Sequence, residues 1–73
     1  MIVEIDKLER VGSCMEVQRR TLGLTQKDVA DAAGMVKQTV SAIEAGDKIP
    51  RLGTLAAMAD ALGLEIVIRR KKS

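Results

Sequence analysis

Residues 26–46 read "QKDVADAAGMVKQTVSAIEAG". Apolar or small residues fall at Val29, Ala30 and Ala33, then at Met35, Val40 and Ile43. Gly34 separates the two sets and Gly46 follows the second. Each set has the spacing of a short helix that buries one face. Thr25 suits the N-cap of the first helix, and Gly34 and Gly46 suit the ends. The stretch predicts helices over about 26–33 and 36–45 with a tight turn between them. Lys37, Gln38 and Thr39 open the second helix as a polar run. Such a run is either plain solvated surface or a face that reads a partner.

The spacing favours the second alternative, because paired short helices around a glycine are the mark of a helix-turn-helix. Counting from Gln26, Ala30 is fifth, where a small side chain lets the helices approach. Gly34 is ninth, where the turn needs a positive φ. Val29, Ala33, Met35, Val40 and Ile43 occupy the fourth, eighth, tenth, fifteenth and eighteenth places, which must face the core. All seven positions fit.

The same patterning extends outward. Asp6 and Glu9 have the form of a capping box, and Leu8, Val11, Gly12, Met15 and Leu22 predict a helix from about 7 to 21, ended near Gly23. Pro50 precedes a helix of about 52–62, with Leu52, Leu55, Met58, Ala59 and Leu62 on one stripe and Gly63 after it. "LEIVIR" at 64–69 is β-branched and too short for another helix, so it reads as a strand. Residues 2–5, "IVEI", are a short strand or a leader. The expected divisions are a leader at 1–6, a helical domain at 7–63, and a strand with a basic tail at 64–73.

Composition narrows the function. The chain has 73 residues, one cysteine, no histidine and no aromatic residue. Those counts exclude an intrachain disulfide, the common zinc spacings and histidine-assisted nucleophiles. No phosphate loop and no convincing carboxylate pair is present, so we expect no enzyme, no catalytic residue, no metal site and no cofactor. No apolar run reaches the roughly 18 residues of a membrane span, and the N-terminus is too charged for a signal peptide. A cytoplasmic location is the expectation. Cys14, facing inward or nearly so, reads as an inert thiol. The net charge is +2, but four basic residues lie in 69–72; without them eight basic residues face ten acidic ones. A nucleic-acid surface must therefore be a local patch.

Taken together, "GLTQKDVADAAG", "TVSAIEAG", Pro50 and "TLAAMADALG" resemble the Xre/Cro/cI-type helix-turn-helix family of phage and bacterial repressors, over about residues 11–64. The resemblance implies an all-α, four- to five-helix, lambda repressor-like domain whose third helix enters the DNA major groove. Gln26 would contact a phosphate from the start of the second helix. Lys37 and Gln38 would read base edges, lysine at guanine and glutamine at adenine. Thr39 and Ser41 would bond a phosphate or base, and Ala42 would meet a thymine methyl. Arg51, helped by Lys48, corresponds to a basic position near the phosphates or minor groove. Arg19 and Glu44 match a family pair that bridges the first helix to the third and orients it. Two departures stand out. Val36 replaces the usual Ser or Thr cap of the recognition helix, and Ala42 replaces what is often a longer polar reader.

So few base contacts call for a second copy, and a small chain without staples calls for one as well. Leu64, Ile66, Val67 and Ile68 would pair with the same strand of another chain in a twofold dimer, although packing back on their own helices is the alternative. The segment resembles the C-terminal strand of HipB-like antitoxins. The expectation is a homodimeric repressor of operator DNA with an inverted repeat, and specifically an antitoxin with a cognate toxin partner. A stand-alone phage-type or restriction–modification regulator is the alternative, as is an adaptor that binds protein instead of DNA.

Overall fold

A computed structural model describes residues 10–71. Four helices follow one another: α1 (Val11–Thr21), α2 (Gln26–Ala33), α3 (Lys37–Glu44) and α4 (Leu52–Ala61). The second, third and fourth lie within a residue of their expected bounds. The predicted start of the first, with its Asp6–Glu9 capping box, and the "IVEI" segment lie outside the described residues.

Local chemistry accounts for these bounds. At the start of α2, Thr25 Oγ1 accepts from the Asp28 backbone N–H at 3.0 Å, and Asp28 Oδ2 accepts from the Thr25 N–H at 2.8 Å. This reciprocal box satisfies two donors that a helix start leaves open. At its end, Gly34 takes φ +70°, and the next N–H, of Met35, donates back to the Ala30 carbonyl at 2.9 Å. A side chain in that left-handed conformation would cost energy, which is why the turn carries glycine.

The core is aliphatic. Val11, Met15, Val29, Ala30, Val40, Ile43, Met58, Ala59 and Leu62 are buried, with Leu24, Met35, Leu55 and Leu64 packed around them. Each fully buried large side chain contributes about 1.5–3 kcal/mol. α2 sits at the centre, packed on both α3 and α4, while α1 lies against α3. Gly12 explains how closely α1 and α3 approach, because a β-carbon there would collide with the Ile43 carbonyl oxygen. Across the molecule Gln18 Nε2 donates to the Leu62 carbonyl at 3.1 Å, tying α1 to the end of α4.

Two expectations change here. Leu52 was expected on the inward stripe of α4, yet it is exposed. As the first residue of the helix it lies beyond the reach of the core. Residues 64–71 carry no regular secondary structure, so the described chain contains no strand. Leu64 still packs on the core, but Ile66, Val67 and Ile68 are 40%, 71% and 87% exposed. A strand needs a second strand to bond its backbone, and the described residues offer none. Leu64 thus packs back on its own helices, whereas Val67 and Ile68 do not.

Candidate nucleic-acid interface

The eight residues of α3 divide by face. Val40 and Ile43 are 0% and 1% exposed, whereas Lys37, Gln38 and Ser41 are exposed, and Thr39 and Ala42 are half-buried. Burial of the two aliphatic residues thus turns Lys37 and Gln38 outward. No side chain caps the helix at Val36, whose carbonyl only receives a short-range bond from the Thr39 N–H at 3.1 Å. Lys48 is exposed in the loop after α3, and Arg51 is exposed at the N-cap of α4.

The other end of α3 is held inside. The Glu44 side chain is only 2% exposed, and its carboxylate takes three hydrogen bonds: from Arg19 Nε at 2.8 Å, from Arg19 NH2 at 3.0 Å and from Gln26 Nε2 at 3.1 Å. Arg19 NH1 also donates to the Leu24 carbonyl at 2.9 Å. The carboxylate therefore joins α1 to the first residue of α2, and Arg19 also ties in the approach to α2. The hydrogen bond to Glu44 raises the Arg19 pKa further above its already high ordinary value, against the opposing effect of burial. Among the described residues no buried side-chain polar atom lacks a partner.

Gln26 makes a contact inside the chain that its sequence position did not reveal. It is half-buried, and one amide N–H is committed to Glu44. Its second N–H and its carbonyl oxygen are the groups left for a partner. Between α1, α2 and α3 lies an open groove whose lining includes Glu16, Arg19, Arg20, Gln26, Lys27 and Lys37. Arg20 and Lys27 were absent from the sequence reading. Each has one charged neighbour in sequence, Arg19 and Asp28, and no periodicity distinguishes them from plain solvated surface.

Hydrogen bonding to Asp31 raises the Lys27 pKa, and the Thr25 backbone N–H lowers that of Asp28. No group of three or more His, Cys, Asp or Glu side chains among the described residues is arranged to hold a metal. No helix among them is long and apolar enough to cross a membrane.

Fold and spacing together define a helix-turn-helix domain. A helix-turn-helix family profile matches residues 17–68. The chain belongs to the Xre-like helix-turn-helix family. It is 38% identical over 63 residues to an uncharacterized HTH-type transcriptional regulator of Sinorhizobium fredii, covering 86% of this chain and 82% of that protein. A second regulator of the same description from that organism is 33% identical over 66 residues; there the chain spans 90% of itself but 34% of its relative's length. A third, from Methanothermobacter thermautotrophicus, is 43% identical over 47 residues, covering 64% and 68% of the two chains.

Proposed function

We propose that this chain is a DNA-binding transcription regulator that reads its site through α3 and represses transcription as a homodimer. The division of α3 carries the reading: an aliphatic face fully buried, a polar start exposed, and the far end pinned through Glu44. A helix so held presents Lys37 and Gln38 at a set angle, as base readout requires. The relatives named as HTH-type transcriptional regulators support the same class. In this reading Gln38 and Lys37 meet base edges, with Thr39, Ser41 and Ala42 beside them. Gln26, Lys48 and Arg51 hold phosphates. The start of α3 matters more because Val36 leaves it without a side-chain cap.

The dimer is proposed through the exposed apolar segment Ile66, Val67 and Ile68, which a second copy would cover by strand pairing. Twofold symmetry then sets an inverted repeat with half-sites about one helical turn apart. An antitoxin that regulates its own operon is the finer assignment. It rests on this segment alone.

The test is selection of preferred duplexes from random DNA, followed by binding of two variants. Gln38→Ala should relax preference at one base position, at a cost of about 1–3 kcal/mol there. Lys48→Ala should weaken all sequences alike. Binding without sequence preference would instead favour the protein-binding adaptor. The mass of the untagged protein isolated from its own cells decides the finer points. A stoichiometric second polypeptide favours the antitoxin, a bare dimer the stand-alone regulator, and a bare monomer removes the strand pairing.

A further inference from the structure

The segment that follows α4 has a held root and an uncovered stem. Gly63 takes φ +68°, and the Leu64 N–H donates to the Ala59 carbonyl at 2.8 Å. Gln18 Nε2 donates to the Leu62 carbonyl, and Leu64 packs on the core. The chain therefore leaves α4 in a set direction. Beyond that root, residues 65–69 are all exposed.

Drawn out as a strand, the stem has two faces, because side chains alternate. Leu64, Ile66 and Ile68 share the face that Leu64 turns to the core, and Glu65, Val67 and Arg69 share the other. A twofold axis between antiparallel strands stands perpendicular to the sheet and keeps each residue on the same face in both copies. Opposed residues must then differ by an even number, so the axis passes through a residue. Centring on Glu65 or Arg69 sets like charges against each other. Centring on Ile68 sets Ile66 and Val67 against arginines, and centring on Ile66 sets Val67 against Glu65. Val67 is the centre that matches apolar with apolar and acid with base. It sets Ile66 against Ile68, Val67 against itself and Glu65 against Arg69. Leu64, already seated on the core, then faces Arg70, whose aliphatic stem can lie over it.

We propose that a second copy of this chain pairs with the segment in the register centred on Val67, each Glu65 lying opposite Arg69 of the partner subunit. The inference rests on the dimer reading above and adds what selects the partner. Opposite charges across a strand pair favour it, and like charges oppose it. The register also sets how far apart the two α3 helices stand. Moving to the next allowed register slides one copy past the other by two residues, about 6.8 Å.

The experiment makes Glu65→Arg and Arg69→Glu separately in the full chain and reads dimer dissociation by sedimentation equilibrium. Each variant alone sets like charges opposite each other twice, and should dissociate at least about fivefold more readily. An equimolar mixture restores both opposite-charge pairs, so its heterodimer should return to near-parental affinity. Mixing would not rescue a general loss of fold. In a Cys14→Ser background, Val67→Cys should cross-link to its own copy on oxidation faster than Ile66→Cys or Ile68→Cys. Mixing without gain, or fastest cross-linking at position 66 or 68, would overturn this register while leaving the dimer in place. A parent chain that stays monomeric would overturn both and leave the α3 reading standing.

Discussion

The two ends of α3 are built on opposite principles. At its end, Glu44 is buried and accepts three hydrogen bonds from two other elements. At its start, Val36 supplies no cap, and Lys37 and Gln38 are exposed. Stability is concentrated where the helix meets the protein, and polar variety where it meets solvent. Because α3 is only eight residues long, anchoring one end suffices to aim the other. Isolated helices of that length do not hold in water, so the aim depends on the anchor and on the aliphatic face.

This contrast can be broken most severely at the anchor. Glu44→Leu leaves the Arg19 guanidinium buried without its carboxylate, and should cost about 3–5 kcal/mol in urea unfolding. The double variant Arg19→Met with Glu44→Leu should recover much of that loss, since an apolar pair needs no compensation. If the double variant were as unstable as the sum of the single ones, the pair would not be what holds α3.

A smaller effect is expected where α1 meets the middle of α3. Gly12→Ala must push the Ile43 backbone away, at a cost of about 1–3 kcal/mol. Thermal unfolding that is unmoved by this change would mean that the two helices have slack. At the exposed start of α3 the sign reverses. Val36 has the extended backbone of an N-cap, with φ −85° and ψ 152°, and its side chain is exposed. Val36→Thr should therefore add about 1 kcal/mol by giving the first-turn N–H groups a side-chain acceptor. A loss of stability would show that the valine packs against something.

The smallest effect concerns α2, which carries the anchor's third donor. Asp28 is held below its ordinary carboxylate pKa by hydrogen bonds from Thr25. Its contribution to stability is complete above the ordinary range and fades as pH falls through the depressed value. The difference in thermal midpoint between the parent and Asp28→Asn should thus be largest near neutrality and shrink in acid. A difference that grew on acidification would contradict the cap.

Much of the fold was legible because its signals are local. Apolar spacing around Val29, Val40 and Ile43, the cap at Thr25 and the turn at Gly34 act within a few residues, and each lies where the pattern put it. Leu52 was misread because periodicity says which face a residue shares, not whether the core extends that far along the helix. The site was legible only in part. Gln26 looks like a free polar residue in sequence, and only folding brings it to Glu44, 18 positions away. Arg20 and Lys27 gave no local signal, since what sets them beside Lys37 is the meeting of three helices.

The amino-acid sequence by itself determined four things: helical class, the turn, the aliphatic composition of the core and the family. All of these depend on spacing along one chain. Tertiary structure alone decided that Gln26 joins Arg19 on Glu44 and that Gly12 admits the Ile43 backbone. It also left Ile66 to Ile68 uncovered. Those outcomes depend on distances between elements, which a one-dimensional pattern does not encode.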